Sequence, residues 1–383
     1  MRKLLLAAVA VAILFTGCAG GKAANVIKIG WFGPVSGDSA LWGTAERDSL
    51  VLLFEQYNAK GGLEVKGKKY KLELVPYDDK GDAIEAVNVA QRLTSQDKVV
   101  AVIGPQGSGE AIPVAKTMND AKVPLVATTA TNVNVTVDTN GTVHPFMFRA
   151  CFIDSYQGKV AARFAYERLG LRKAAMLIAV DDPYSVGLGQ FFKETFEKLG
   201  GKVVEEVTFT SGEKEFRAPL TKIKAAEPDI IFMPYYYTDV ATSARQAREL
   251  GINTMMIGGD GWPSESLIEL AGTALEGCYF INHLDFDGEL AKPFREAYKA
   301  KYNKNAELNS YMAHDAALVV FDAIQRAEKI DGPSIQAALL TTDLIGVTGR
   351  IRMGPEHDPI GKDAWITQIV GPKMVFKEKF QAE

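Results

Sequence analysis

Residues 99–132 have the sequence VVAVIGPQGSGEAIPVAKTMNDAKVPLVATTATN, and this stretch decides the fold. The apolar run Val99–Gly104 predicts a buried strand, Gly109–Asn119 has helical spacing, and Pro124–Thr129 predicts a second strand. A strand, a helix and a strand in this order join two parallel strands through a crossover. The stretch therefore predicts a parallel sheet covered by helices.

The same alternation continues on both sides of this stretch. Upstream, strands are predicted at Val26–Gly33 and Lys69–Tyr77, and helices at Trp42–Lys60 and Asp82–Gln96, the latter capped by Asp82. Downstream, it restarts with a strand at 146–153 and a helix at 155–169, and continues to strands at 350–353 and 364–370. We expect an α/β protein with two doubly wound parallel-sheet lobes. No low-complexity linker separates them, which fits lobes joined by strands.

Composition excludes some function classes. The chain has 383 residues, of which 47% are hydrophobic and 23% charged, so it can bury a sizeable core. Its formal net charge is −4, and Lys and Arg are spread along the chain rather than clustered. A nucleic-acid-binding protein needs a positive surface, so we expect no nucleic-acid partner.

The N-terminus has the pattern of a secretory signal peptide. Arg2 and Lys3 precede an uninterrupted apolar run, Leu4–Phe15. As a helix this run is only about 18 Å long, against a hydrocarbon core of roughly 30 Å, which argues against a transmembrane anchor. We therefore expect the protein to be exported.

Cys18 follows this apolar run directly. The sequence Leu14-Phe15-Thr16-Gly17-Cys18 resembles a bacterial lipobox, which implies a signal peptide at 1–18 and a lipidated Cys18. Several acyl chains give stable anchoring to a membrane. The alternative is cleavage elsewhere, which would release a soluble periplasmic protein. Cys151 and Cys278 could form a disulfide or remain two buried thiols, and the sequence does not decide between these.

Catalytic signatures are missing from the sequence. Ser185 has Pro183 two residues before it, so no Gly-x-Ser-x-Gly turn is present. The four histidines show no metal-ligand spacing. The segment Gly62–Lys69 imitates a phosphate loop but ends in lysine instead of a hydroxyl residue. We expect no enzyme activity, no cofactor and no metal.

Polar residues follow the strands of the first unit, where doubly wound folds bind ligands. Ser108 lies in a Gly-rich segment that leads into a helix, so it could bind a carboxylate together with free backbone N–H groups. Equally, it could simply cap the helix. The hydroxyl cluster Thr128–Asn132 follows the next strand, although threonine is also common in strands for its β propensity.

Aromatic and acidic residues follow the strands of the second unit. Tyr184 begins one helix, Tyr235–Tyr237 precede another, and Asp260 lies in a Gly-rich loop. Asp260 could receive an ammonium group, and the tyrosines could form flat walls with polar tips. The alternatives are a turn or cap role for Asp260 and ordinary core packing for the tyrosines.

A series of short motifs resembles the leucine/isoleucine/valine-binding protein family. They occur in the family's order between residues 27 and 370, and they are Ala59-Lys-Gly-Gly-Leu63, Gly67-Lys68, Pro76-Tyr-Asp78-Asp79, Ile103-Gly104-Pro105, Asp154-Ser155-x-Gln157-Gly158, Asp182-x-Tyr184-x-x-Gly187 and Arg245–Gly251. The resemblance implies the type I periplasmic binding protein fold, with two lobes, three hinge crossings and a cleft. It places residues 26–149 and 280–346 in the N-terminal lobe, and 150–279 and 347–383 in the C-terminal lobe. The crossings are expected near 149–152, 277–281 and 346–350.

The resemblance also implies roles for individual residues. Ser108 and Thr131 match residues that bind the α-carboxylate of an amino acid. The carbonyl of Thr129 and the side chain of Asp260 match the positions that hold the α-ammonium, with Asp260 replacing the family's glutamate. Trp42, Tyr184 and Tyr236 match aromatic residues of the family's cleft. Gly107, Tyr156 and Trp262 are further, weaker candidates for contact with the ligand.

The function implied is capture of an amino acid, branched-chain or otherwise apolar, for the permease subunits of an ABC transporter. The protein is expected to be a monomer on the outer face of the membrane, in contact with it only through the lipid anchor. Three alternatives stay open from the sequence: a ligand such as an aromatic acid or amide, a sensory role, and an enzyme.

Overall fold

The structure, a computed structural model, describes residues 25–380. Cys18 and the predicted signal peptide lie outside the described residues. Within residues 25–380, no helix is both long and apolar enough to cross a bilayer.

The first sheet has six strands in the described part of the chain, in the order β2-β3-β1-β4-β5-β6. Its strands pair in parallel except for the β2–β3 hairpin. They are β1 (Val26–Gly33), β2 (Leu63–Val65), β3 (Lys68–Asp78), β4 (Ala101–Ile103), β5 (Leu125–Ala127) and β6 (Met147–Arg149). The helices among them are α1 (Ala40–Ala59), α2 (Ala83–Arg92) and α3 (Ser108–Ala121).

The second sheet has seven strands in the same range of residues, in the order β15-β14-β11-β10-β9-β7-β8. Its core is parallel, and β14 and β15 add an antiparallel edge. The strands are β7 (Lys173–Ala179), β8 (Lys202–Phe209), β9 (Ile230–Met233), β10 (Met255–Gly258), β11 (Tyr279–Asn282), β14 (Ala364–Val370) and β15 (Lys373–Phe380). The helices between 154 and 271 are α4 (Asp154–Arg163), α5 (Pro183–Lys198), α6 (Arg217–Ala225), α7 (Tyr237–Glu249) and α8 (Glu265–Ala271).

The last helices return to the first sheet. These are α9 (Lys292–Tyr302), α10 (Leu308–Arg326) and α11 (Gly332–Leu339), and a hairpin of β12 (Asp343–Gly346) and β13 (Gly349–Arg352) follows. α10 packs on α1, and its apolar side joins the core of the first sheet. Each sheet has an apolar core on both faces, so it is covered on both sides. We call the first sheet with its helices the first lobe, and the second sheet with its helices the second lobe.

The predicted α/β architecture is confirmed, and several element bounds differ. α2 continues through Leu93–Asp97 as a π-helical turn, as does α4 through Phe164–Arg168. The strands β4, β5 and β6 are shorter than predicted. The predicted strand ends at Gly104 and at Thr128 and Thr129 leave the sheet, and the segments predicted to bind the ligand begin there.

Two of the expected crossings lie elsewhere. The boundary at residue 280 would divide β11, yet all of β11 pairs within the second sheet, so this crossing follows Asn282. The boundary at residue 347 fails because Ile351 and Met353 pack in the core of the first lobe. The third crossing therefore lies between Met353 and the start of β14. β6 ends at Arg149, and the crossing predicted near 149–152 follows it in the chain.

Cys151 and Cys278 are unbonded thiols, and both are buried. They pack in different apolar clusters, and the Cys278 cluster belongs to the second lobe. Burial raises the pKa of both thiols. They therefore serve as small core residues, the second of the two alternatives that the sequence left open.

Candidate functional site

Three aromatic rings, two of them in the second lobe, meet where the two lobes face each other. Trp42 projects from α1 of the first lobe and packs edge-on against Tyr236, with ring centroids 5.5 Å apart. Tyr236 in turn stacks on Tyr184, with centroids 5.3 Å apart and planes 13° apart. The indole Nε1 of Trp42 is buried without a hydrogen bond partner. These contacts bring together the three predicted aromatic cleft residues.

Ser108 and Thr131 lie side by side at the carboxyl end of the first sheet. Ser108 is the first residue of α3 and is buried, and its Oγ accepts a hydrogen bond from the Asn132 N–H at 3.2 Å. Its own hydroxyl hydrogen therefore stays available to a ligand. Ser108 does not occupy the N-cap position of α3. That position belongs to Gly107, which has no side chain to cap the helix. The Thr131 hydroxyl is fully buried and has no hydrogen bond partner in good geometry.

Thr129 is held from the opposite side by an asparagine that the sequence did not suggest. Its hydroxyl donates to the Gln106 carbonyl at 3.1 Å and accepts from Asn309 Nδ2 at 3.2 Å. Asn309 lies in the first turn of α10 and is almost fully buried. The segment after β5 is therefore fixed by the chain that returns from the second lobe.

Asp260 is buried in the second lobe and already has two partners. Its Oδ1 accepts from Gln157 Nε2 at 2.8 Å, and its Oδ2 lies 2.9 Å from His283 Nε2. His283 stacks on Phe152, with ring centroids 3.7 Å apart. Burial lowers the pKa of His283, which favours the neutral ring. Each carboxylate oxygen of Asp260 keeps a second lone pair, so an ammonium group could still approach.

Asp154 and Gln157 complete a group of hydrogen bond acceptors beside Asp260. Both are fully buried on α4; the Oε1 of Gln157 lacks a donor, and the Thr131 hydroxyl lies within reach of the Asp154 carboxyl group. Burial raises the pKa of Asp154 well above its ordinary value, and the charge of Asp260 adds to this. The Asp154 backbone N–H bonds the Thr131 carbonyl at 2.9 Å, which ties the group to the carboxylate side of the site.

Two further candidates lie away from this group. Trp262 is in the core of the second lobe, and its Nε1 donates to the Met233 carbonyl at 2.9 Å. Glycine at 258 leaves room for the indole ring, which a Cβ there would approach to 2.0 Å, and the contact of Trp262 with a ligand stays a prediction. Tyr156 donates to the Phe380 carbonyl and lines a separate cavity with Lys159. Gly107, by contrast, lines the space between the lobes.

The site has acidic and neutral groups but no accessible base. Arg149, the nearest arginine to Asp154, is buried in an ion pair with Asp358 at 2.5 Å. Between residues 25 and 380, no three His, Cys, Asp or Glu side chains are placed to hold a metal ion. The arrangement offers donors near Ser108 and acceptors near Asp260, a pattern suited to a ligand with opposite charges at its two ends.

Comparisons with known proteins agree with this fold. Residues 26–373 match the family described as periplasmic binding protein. The leucine-, isoleucine-, valine-, threonine- and alanine-binding protein of Pseudomonas aeruginosa is 30% identical over 337 residues, which covers 88% of each chain.

Two solved structures have the same architecture. A leucine-binding protein from Thermotoga maritima superposes with a TM-score of 0.85 at 33% identity, covering 92% of this chain and 98% of that one. The substrate-binding protein of a branched-chain amino acid transporter from Streptococcus pneumoniae, solved with isoleucine, gives 0.84 at 31% identity, covering 93% and 100%. The chain therefore belongs to the leucine/isoleucine/valine-binding type of the periplasmic binding protein family.

Proposed function

We propose that this chain is an exported solute-binding protein that closes its two lobes around an amino acid and delivers it to the permease subunits of an ABC transporter. The side chain of the ligand would be branched or otherwise apolar, with Trp42 as its wall. Burying a leucine-sized side chain contributes about 1.5–3 kcal/mol. The names of the relatives, which describe leucine, isoleucine and valine binding, support this ligand class.

One observation carries the proposal: the buried carboxylate of Asp260 and the unpartnered Oε1 of Gln157 lie together, with the Asp154 carboxyl group beside them. An ammonium group would supply a donor to Gln157 Oε1 and a positive charge to Asp260. The carboxylate of the ligand would face Ser108, Thr131 and the first N–H groups of α3. Because each buried polar group without a partner costs roughly 1–3 kcal/mol, a zwitterion at this position would stabilise the closed form.

The same electrostatics argue against the alternative of an aromatic acid. Such a ligand carries a net negative charge and no basic nitrogen. It would leave the Oε1 of Gln157 without a donor, and its negative charge would face the carboxylate of Asp260, while Arg149 is already paired with Asp358. A neutral zwitterion avoids both costs.

We also propose that Cys18 carries the lipid anchor and that the crossings after Arg149, Asn282 and Met353 form the hinge. A monomeric protein that binds the ligand without converting it would be sufficient to deliver it to the permease subunits. Mass spectrometry of the mature N-terminus checks the anchor, since an unmodified terminus at another residue would contradict it.

The amino-acid proposal is tested by calorimetry with leucine, isoleucine, valine and benzoate. We expect at least one aliphatic amino acid to bind, and Asp260→Asn to weaken that binding by about tenfold or more, because a charge-assisted hydrogen bond is lost. Asp285→Asn is the matched control, since Asp285 lies just after the neighbouring strand β11 and bonds only locally. Binding of benzoate together with no amino acid, or unchanged affinity in Asp260→Asn, would refute the proposal.

A further inference from the structure

A cavity of about 250 Å³ lies between the lobes, and its lining is strongly acidic. It holds carboxylates from both lobes, and no Lys, Arg or His is among the described residues that line it. Asp38 and Glu110 come from the first lobe, and Asp181, Asp182 and Asp239 from the second.

Not all of these carboxylates have partners. Asp181 and Asp239 accept hydrogen bonds from the loop at Ser211 and Gly212. Asp182 uses Oδ1 to cap α5 through the Tyr184 N–H at 3.0 Å, while its Oδ2 is buried without a donor. Asp182 is only 8% exposed. The cavity thus contains a buried acceptor that nothing in the described chain satisfies.

Glu110 shares this environment. It lies in the first turn of α3, and burial raises its pKa to about 7, with the charge of Asp182 adding to the rise. Burial likewise raises the pKa of Asp182 to about 7. The charge of Asp182 therefore disfavours the charged form of Glu110 from the opposite lobe, and a cation between the two would remove that cost.

The cavity adjoins the proposed amino-acid site. Gly107 and Tyr236 line it, and Tyr236 also contacts both Trp42 and Tyr184 in the aromatic stack. A side chain that passes along these rings would reach the cavity with its far end. Aromatic faces suit an aliphatic stem and also attract a cation.

We propose that the ligand carries a second positive charge at the end of its side chain, an ammonium or guanidinium group, held between Glu110 and Asp182. This inference rests on the amino-acid function proposed above. It extends the ligand class from purely apolar side chains to apolar stems with a basic end, as in lysine, ornithine or arginine.

The test is calorimetry on the full chain with lysine, arginine, Nε-acetyl-lysine and leucine. We expect lysine or arginine to bind about tenfold or more tightly than Nε-acetyl-lysine, which has the same stem without the charge. Glu110→Gln and Asp182→Asn should each weaken binding of the basic amino acid by about tenfold or more, and leucine binding by much less. Asparagine caps helices as well as aspartate does, so α5 should keep its start.

Asp331→Asn is the matched control, because Asp331 caps α11 through the Ser334 N–H outside this cavity. Melting temperatures of all variants show whether each is folded. Leucine binding without binding of any basic amino acid would overturn this inference and leave the amino-acid function intact. Equal binding of lysine and its acetylated form would overturn it as well. Failure of all four compounds to bind would count against the amino-acid function itself.

Discussion

Glu46 is a fully buried carboxyl group on α1, within the first lobe. It accepts hydrogen bonds from Trp31 Nε1 at 3.1 Å and from the Thr128 hydroxyl at 2.5 Å. Burial nevertheless raises its pKa to about 7, and no cation is among the groups that shift it. In the unfolded chain the same group would titrate near its ordinary value of about 4.3.

This difference predicts how stability depends on pH. Between about pH 4.5 and 7 the folded chain holds a proton on Glu46 that the unfolded chain has lost, so folding stability falls as pH rises, by up to about 1.4 kcal/mol per pH unit. Glu46→Gln cannot titrate. We therefore expect the free energy of unfolding of the variant, minus that of the parent, to increase as pH rises through this range. Urea titrations at several pH values measure this difference.

The exposed residue Glu64 supplies the control for this prediction. Glu64→Gln removes a carboxylate at the surface, and its stability profile is measured beside that of Glu46→Gln. If the free energies of unfolding of Glu46→Gln and the parent differed by the same amount at every pH, the difference would reflect altered hydrogen bonds alone. That result would contradict the titration of Glu46.

The sequence could suggest some site residues and not others for a physical reason. Asp260 follows a strand end directly, where doubly wound folds bind ligands. Asp154 and Gln157 lie instead on a helix. They share a motif that resembles the family, and their spacing of three residues places them on one face, but no strand end marks them as ligand contacts. Gln157 reaches Asp260 across 103 residues of sequence, a contact that no local pattern encodes.

At the scale of elements, α2 shows what local chemistry can fix. Asp82 accepts hydrogen bonds from the N–H groups of Ile84 and Glu85, both at 2.9 Å. It is the N-cap that the sequence predicts. Asp82→Ala should therefore lower the free energy of unfolding by about 1 kcal/mol, within a range of roughly 0.5–2. Urea denaturation measures this as a lower midpoint with an unchanged slope.

Asp82→Asn keeps the acceptor oxygen and should stay close to the parent in stability. If both variants lose the same stability, charge rather than capping would be responsible. If neither does, the cap contributes nothing measurable and the prediction fails.

Elements without such signals were harder to predict. The helices α8 and α11 were not predicted, although each begins at a good cap, Ser264 and Asp331, because both are short and interrupt loops rich in turn residues. The strand β12 was missed because it pairs only with β13 in a two-stranded hairpin, where burial imposes little alternation. The buried parallel strands β4 and β5 are continuous apolar runs, and the sequence predicts both of them.

At the scale of the whole molecule, hydrogen bonds join the lobes at several points, among them the contact of Asn305 Nδ2 with Glu265 Oε1 at 2.6 Å. The Tyr237 hydroxyl donates to the Asp38 carbonyl at 2.9 Å, and Asn132 Nδ2 donates to the Pro183 carbonyl at 2.7 Å. Sequence patterns cannot foresee such contacts, because they form only when two separately folded sheets approach each other. The Tyr237 and Asn132 contacts stabilise the closed arrangement specifically, since an open cleft would break both.

Tyr237→Phe therefore tests the closing motion with little effect on either lobe. A hydrogen bond of this kind contributes about 0.5–1.5 kcal/mol, so loss of the Tyr237–Asp38 contact should speed ligand dissociation roughly 2- to 12-fold in stopped-flow measurements. The melting temperature of the ligand-free protein should change little. Tyr235→Phe is the matched control, because the Tyr235 hydroxyl bonds Ser243 within the second lobe. Equal dissociation rates for Tyr237→Phe and the parent, or the same acceleration in Tyr235→Phe, would mean that retention of the ligand does not depend on the Tyr237–Asp38 contact.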